Sequence, residues 1–563
     1  MPEPSNKLIR LWEELKRRKV IHVIVVYATA AFVIIELVNN VYEPLKLPDW
    51  TPTMVIVILA IGFPFAIIFS WIFDISGKGI RKTEPYNATR ENSDLPPEFT
   101  RPSENSIAIL PFENMSADVE NEYFCDGITE EIINALTKIE DVYVVARTSS
   151  FAFKGQNTDV REIGRKLGVA TLLEGSVRKS GKKLRITAQL INIENGYHLW
   201  SESYDRQLSD IFEIQDEISM NIVEKLRISI KPDEKNVLQS RYRGDIKAYN
   251  LYLKGRYFWN RLTKKDLLRA LDLFKEATNI DANYAPAFSG MADSYCRLPW
   301  YSYMAPARAL PKAKEAAAKA LQLNDMLPEA VASLGFVSMC FDRDYEKAIG
   351  EFRKAIRLDP GFSGAHSYYS ICLAITGRHQ DAIMEARHAL ELDPLTPMML
   401  INLAGRYYYA RQYPSCVESV RKALELDPGF EIAHYYLAYF YNQMGKQREA
   451  LQEIHRVIKK LGRDHIPFLA ALAIILAYSG DIKGAGKVMD EIAGLPNENK
   501  TSFFWLGAIY TVLEKHDEAI EMFEKAFLER EVLMIFLNVD PVFDQIKNEP
   551  EFQALLRKMN FSV

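Results

Sequence analysis

The sequence predicts a multidomain chain: a two-helix transmembrane hairpin at the N-terminus, a small α/β domain, and an all-α solenoid of paired helices in the second half. Three observations predict it. Two long apolar runs lie within the first 75 residues, short apolar strands alternate with amphipathic helices from residue 106, and from residue 248 alanines and prolines recur every 34 residues. At 563 residues the chain is too long for one core and should hold about three to four units.

The apolar runs are VIHVIVVYATAAFVIIELVNNV at 20–41 and MVIVILAIGFPFAIIFSWIF at 54–73. At about 1.5 Å per helical residue each reaches roughly 30 Å, the thickness of a bilayer core. Lys7, Arg10, Lys16, Arg17, Arg18 and Lys19 precede the first run within a basic N-terminus at 1–19; Lys78, Arg81, Lys82 and Arg90 follow the second. The turn between them holds only Lys46. Since Lys and Arg stay on the cytoplasmic side, this predicts a two-pass protein of the bacterial inner (cytoplasmic) membrane with both termini cytoplasmic and the lipid bilayer as a partner. Tyr42, Trp50 and Trp71 fall at headgroup depth. Glu36, near the outer interface, is read as reaching headgroups or the second helix rather than as an ion path.

Residues 75–104 are rich in Pro, Asn, Ser and Glu and read as a flexible linker. An α/β domain at 105–232 follows. In it Val177, Leu184, Ile186, Ala188 and Leu190 share one strand face, with a hairpin turn at Ser180-Gly181. Asp126 is placed as an N-cap, with Glu130 and Glu131 in the first helical turn. Arg147, Thr148 and Ser149 follow a strand end, where α/β sheets hold ligands, and form the candidate ligand loop. The segment Gly175–Lys183 is no ATP loop: five residues separate its glycines and a second Lys stands where Ser or Thr would hold magnesium.

The segments SIAILPFENMSADVENEYFCDGITEEIINALTKI, ARTSSFAFKG, DVREIGRKLGVATLLEGSVRKSGKKLRITAQLIN and GYHLWSESYDRQLSDIFEIQDEI resemble the TolB-like amino-terminal domain of bacterial TPR proteins. ELKRRKV and LPDW resemble the membrane module preceding that domain. The resemblance implies an assembly or signalling domain with no catalytic residue to carry over. Relatives of this kind carry a class III adenylate cyclase or a winged-helix domain; no unclaimed stretch is expected to hold either here.

Ala355, Ala389 and Ala423 stand 34 apart, in register with Pro360, Pro394 and Pro428 of RLDPGF, ELDPLT and ELDPGF. A tetratricopeptide (TPR) unit needs both: small residues where two antiparallel helices touch, and a proline that stops the second helix. Triplets such as Ala270/Phe274/Ala277, Ala348/Phe352/Ala355 and Ala519/Phe523/Ala526 repeat the second-helix pattern. A TPR solenoid of about eight repeats is expected at 240–530, closed by a C-terminal capping segment at 531–563. First-helix positions that line a concave TPR surface hold Tyr408, Tyr409, Tyr435, Tyr439 and Asn442, read as the partner-binding residues because aromatics with polar tips suit protein interfaces.

The expected function is therefore a membrane-tethered protein-interaction scaffold whose partner is a protein. The alternative is a signalling or sensor component whose TolB-like domain binds a small ligand and relays it through the repeats. With 69 basic and 74 acidic residues and a net charge of -5, no field draws nucleic acid. No catalytic residue, metal site or cofactor is expected: there is no HExxH, no GxSxG, and no zinc spacing among five scattered cysteines. Self-association through the anchor is left open.

Overall fold

The computed structural model describes residues 27, 31, 34–38, 48, 50–76, 79–82, 105–118, 121–139, 141–226, 228, 244–495 and 502–562. It divides into two compact units, Met1–Asp94 and Leu95–Val563.

In the first unit, helix α1 (Thr51–Ile72) runs into a hairpin of strands β1 (Phe73–Ser76) and β2 (Gly79–Lys82). Tyr27 packs on α1: its hydroxyl donates to the Leu59 carbonyl at 2.8 Å and its ring lies 5.5 Å from Phe63. Gly62 makes room for it, since a Cβ there would sit 2.6 Å from the Tyr27 hydroxyl. Among the described residues no helix is long and apolar enough to cross a membrane. That overturns the expected two-pass inner-membrane placement and leaves the hairpin of spans and the bilayer as partner without support. An apolar run counts residues, whereas a span requires a long, uninterrupted apolar helix. Of the run at 54–73 the last residue, Phe73, already belongs to a strand, and of the run at 20–41 only residues 27, 31 and 34–38 are described. The basic N-terminus at 1–19, most of 20–41 and the linker from 83 to 104 lie outside the described residues.

The second unit opens with a six-stranded mixed sheet. Strand β3 (Ser106–Ile109) pairs in parallel with β5 (Tyr143–Val144) and β6 (Thr171–Ser180), and short β4 (Glu113–Asn114) also joins β6. Strands β6, β7 (Lys183–Asn192) and β8 (His198–Gln207) continue antiparallel. Val177, Leu184, Ile186, Ala188 and Leu190 are buried on one face, as their alternation requires. The β6–β7 turn is Gly181-Lys182, one residue later than expected, because Ser180 pairs with Lys183 and Gly181 takes φ +59°. Helices α2 (Glu122–Leu136), α3 (Arg147–Phe151), α4 (Val160–Leu167) and α5 (Ile211–Lys225) flank the sheet. Helix α4 is capped as its sequence requires: the Asp159 side chain accepts from the Arg161 amide, and Gly168 ends it at φ +68°. Helix α2 begins a turn earlier than the placement of Asp126 as N-cap supposed. Phe124 continues the apolar period upstream, so Asp126, Glu130 and Glu131 lie inside the helix, the first two buried.

Sixteen helices follow as eight antiparallel pairs: α6 (Ile246–Trp259) with α7 (Lys264–Ile280), α8 (Ala285–Trp300) with α9 (Pro306–Leu323), α10 (Pro328–Val337) with α11 (Tyr345–Leu358), α12 (Ser363–Ile375) with α13 (His379–Leu392), α14 (Pro397–Tyr409) with α15 (Tyr413–Leu426), α16 (Glu431–Gln443) with α17 (Gln447–Leu461), α18 (Ile466–Tyr478) with α19 (Ile482–Ala493), and α20 (Phe503–Val512) with α21 (His516–Leu528). The chain is thus a mostly helical TPR solenoid with a small mixed-sheet domain. Phenylalanines of second helices fit against glycines of first helices: a Cβ at Gly335 would meet the Phe352 ring at 2.7 Å, and one at Gly507 the Phe523 ring at 2.5 Å. The turn inside each pair needs one left-handed residue, and Arg343, Gly377, Arg411 and Gly445 supply it at steps of 34.

The chain ends in two short 3-10 turns, Val532–Phe536 and Pro541–Phe543, and helix α22 (Pro550–Lys558). Phe543 and Phe552 cover the last pair by packing on Phe523. All five cysteines are buried thiols, which burial pushes up in pKa, Cys125 and Cys372 to about 12.

Candidate functional site

Within the second unit, the first helices of the first five repeats form the inner wall of a groove, and the α/β domain roofs it. The space between them is a cavity of about 410 Å³. Its roof is Glu130, Asn134 and Thr137 of α2 with Arg147 and Thr148 of α3; its wall includes Arg256, Trp259, Asp293, Arg297, Tyr368 and Asn402.

Three joints hold the roof. The α/β core runs directly into the first repeat, where Phe124, Ile128 and Ile132 share one apolar cluster with Tyr249, Leu253 and Phe274; a Cβ at Gly127 would sit 2.7 Å from Leu253. Beside it, buried Glu130 takes Arg147 at 2.9 Å, Arg256 at 2.7 Å and the Asn260 amide at 3.2 Å. Burial alone would raise this carboxyl, but the Arg256 and Arg147 guanidinium groups outweigh it and hold it below its ordinary range.

The third joint uses the aspartates of the Leu-Asp-Pro turns. Thr137 donates to Asp359 at 3.1 Å; 34 residues on, Thr148 and Ser149 donate to Asp393 at 2.6 and 2.5 Å. The Ser149 oxygen also accepts from the Leu395 amide at 2.8 Å, and the Ala146 amide donates to the Leu392 carbonyl at 2.8 Å. Burial, with Glu329 nearby, pushes Asp359 up to about 7. The candidate ligand loop is therefore largely occupied: Thr148 and Ser149 bind the solenoid, and Arg147 pairs with Glu130. Arg147 and Thr148 nevertheless line the cavity.

The five predicted partner residues lie farther along the solenoid, where two of them, Tyr408 and Tyr409, meet the chain's own C-terminal segment. Tyr408 is 4% exposed and donates to Asp540 at 3.0 Å. Tyr409 stacks on Phe536 with centroids 5.3 Å apart. Tyr435 is buried beside Phe468, and Tyr439 faces Trp505 at 6.4 Å. Asn442 is buried with an unpaired amide oxygen. The segment is further held by Arg411, which donates to the Val539 carbonyl at 2.7 Å and pairs with Asp544 at 2.8 Å. Arg343 and Arg530 form a reciprocal clasp between the third and eighth repeats. Arg343 lies 4.2 Å over the Phe527 ring while Arg530 lies 4.4 Å over Phe341 and donates to its carbonyl at 2.7 Å.

Reading the sequence missed Glu130 as a joint, and Arg256, Asp293, Arg297 and Trp259 altogether. One signal was present: a glutamate at an inward position of an amphipathic helix, which burial penalises unless a cation meets it. Among the described residues no cluster of His, Cys, Asp and Glu is arranged to hold a metal.

Comparisons with known proteins bear on both parts. The profile of the second domain of HilA/YgeH-like transcriptional regulators matches residues 103–221. Three tetratricopeptide-repeat profiles match 341–397, 420–452 and 501–530. A proposed adenylate cyclase 3 of Rhizobium meliloti is 42% identical over 38% of this chain and 35% of its own length. The transcriptional regulator HilA of Salmonella typhimurium is 22% identical over 58% of this chain and 56% of its own. The chain thus spans about a third of the first relative and about half of the second. The crystal structure of a Thermus thermophilus TPR protein is similar at a TM-score of 0.30 and 18% identity, covering 34% of this chain and 98% of that one. The chain is a TPR repeat protein, and TPR repeats point to protein-protein interaction rather than catalysis.

Proposed function

We propose that this chain is a protein-interaction scaffold that receives a protein partner on the concave surface of its TPR array. The observation that supports it is the solenoid itself: eight stacked helix pairs whose first helices present a continuous inner wall, the geometry solenoids use for binding. TPR arrays bind protein partners, and repeats of this class are generally non-enzymatic. Tyr408 and Tyr409 engage the C-terminal segment while Tyr435, Tyr439 and Asn442 pack within the later repeats, so in this reading the first two serve a partner only where that segment gives way. The roofed groove of the first five repeats is the surface a partner meets first.

The test is retention of a protein by the immobilised full chain, compared with Asn402→Ala in the groove and Tyr435→Ala/Tyr439→Ala against the seventh and eighth repeats. A partner lost on Asn402→Ala, with thermal unfolding unchanged, supports the groove. A partner lost only on the double tyrosine change supports the covered patch. Finding no protein held above a beads-only control sinks the reading.

The cavity favours a second reading, a sensor in which the α/β domain and the solenoid close over a small ligand. Its volume falls in the range of small-molecule sites, about 300–1,000 Å³, and two unlike domains share its lining. The TolB-like resemblance of the α/β domain, which implies assembly or signalling, is in keeping with this role.

A further inference from the structure

The cavity's polar groups are unevenly satisfied, and the imbalance singles out one wall. On the roof and turns the charges are matched: Glu130 has two arginines, Asp359 accepts from Thr137 and the Gly361 amide, and Asp393 accepts from three hydroxyls. On the opposite wall Arg297 is not. Its guanidinium is flanked by two rings, with its central carbon 5.4 Å from the Trp259 centroid and 5.2 Å from that of Tyr368. Its nearest carboxylate is Asp293, 3.8 Å away at Nε and shared with Arg256 at the same distance. That separation is too long for a hydrogen bond. The Nε of Arg297 has no hydrogen-bond partner, nor have the Trp259 indole nitrogen, the Tyr368 hydroxyl or the Ser289 hydroxyl on the same wall. Tyr368 and Ser289 are 8% and 5% exposed. Buried donors without acceptors are uncommon, and four around one cavity mark a place where an acceptor belongs.

A simple anion would nonetheless meet opposition, because Glu329 also lines the cavity and has no hydrogen bond or ion pair among the described residues. Burial raises the Asp293 carboxyl, and Glu329 is near enough to raise it further. A ligand carrying both charges answers both groups, and the rings of Trp259, Tyr301, Phe336 and Tyr368 line the same cavity and suit a flat apolar body.

We propose that this cavity is a binding site for a small zwitterion with a planar ring, of the aromatic amino-acid class, its carboxylate held by Arg297 and its ammonium by Glu329. The inference rests on the sensor reading and moves the ligand from the loop Arg147-Thr148-Ser149 to the wall facing it. Seated there, the ligand joins the second and third repeats, which carry Arg297 and Glu329.

Calorimetric titration of the full chain with L-phenylalanine, hydrocinnamate and phenethylamine separates the two charges. Phenylalanine is expected to bind most tightly. Arg297→Gln should weaken phenylalanine and hydrocinnamate about tenfold or more, a loss of one strong charged contact, and leave phenethylamine unchanged. Glu329→Gln should weaken phenylalanine and phenethylamine and spare hydrocinnamate. Arg297→Lys, which keeps the charge and loses the planar fork, should fall between wild type and Arg297→Gln, and guards against a variant that does not fold. Phenylalanine binding equally to wild type and Arg297→Gln overturns the site. Phenethylamine binding as tightly as phenylalanine overturns the zwitterion while leaving a ligand cavity. Failure of all three probes in the millimolar range overturns the proposal; the sensor reading itself falls only if a broader ligand screen also leaves the chain's thermal unfolding unmoved.

Discussion

The two edges of the solenoid hold their cargo in opposite ways. Along the edge formed by the turns between repeats, beyond the first repeat, the α/β domain is attached by hydroxyls on aspartates and by backbone amides. Along the edge formed by the turns within repeats, the C-terminal segment is attached by aromatic stacking and by arginines on backbone carbonyls, and its interior merges into an apolar cluster running from Leu267 to Phe561. Hydrogen bonds exchanged for water stabilise by only about 1 kcal/mol each, whereas burying a large apolar side chain contributes about 2–3 kcal/mol. The first edge is therefore the weaker of the two attachments.

That contrast can be broken most forcefully on the apolar side. Phe523→Ala empties a fully buried site between Phe504, Phe543 and Phe552; it should cost about 3–5 kcal/mol, lower the melting temperature, and expose residues 531–562 to limited proteolysis. A smaller drop is expected for Arg343→Gly. Glycine removes the clasp but accepts the left-handed turn that Arg343 occupies at φ +57°, so part of the loss returns as relieved backbone strain. If Arg343→Gly melts as low as Phe523→Ala, the clasp rather than the core dominates that edge.

On the polar side the expected effect depends on pH. Asp359 binds a proton more tightly in the folded chain, at about 7, than its ordinary carboxyl value of 3.8. The folded state therefore holds the extra proton between those values. Its contribution to stability is fully present below the lower value and is lost as pH rises through about 7. Asp359→Asn, which keeps the shape and the oxygen that accepts from the Gly361 amide and reverses the Thr137 bond by donating to its hydroxyl, all without the charge, should raise the melting temperature at pH above 7 and leave it nearly unchanged in acid. A uniform shift at all pH values would remove Asp359 as the source. The smallest effect is expected for Ser149→Ala, about 1–2 kcal/mol, since Asp393 keeps Thr148 and Thr396. Hydrogen exchange should quicken in helix α3 and in the turn at 393–396 but not in the C-terminal segment.

How much of this was legible in the sequence follows from the range of the forces involved. The alanines and phenylalanines of second helices were readable because each is demanded by a neighbouring helix only a few residues away, and Ala348, Phe352 and Ala355 are indeed fully buried. The alternating faces of β6 and β7 were readable for the same reason. The start of α2 was misjudged because Asp126 has the chemistry of a cap; only the burial of Phe124 and the bond from Lys154 show it inside the helix. The apolar runs near the N-terminus had the length of spans, which is not the same as being a spanning helix. Tyr408 and Tyr409 stand on a first helix, but nothing local tells that a segment over 100 residues downstream lies against them. Arg297 and Glu329 escaped for a related reason: each is an ordinary surface residue in its own helix and becomes conspicuous only when five repeats curve around one space.

The arginine clasp changes what kind of object the array is. A row of repeats joined only to its neighbours has two loose ends and can unravel from either one. Here Phe341 and Arg343 grip Phe527 and Arg530, so the third repeat and the eighth are neighbours as well. Between them the row becomes a ring, whose members share one fate: slow exchange in the eighth repeat should report on the third, and cutting one bond of the clasp should loosen both.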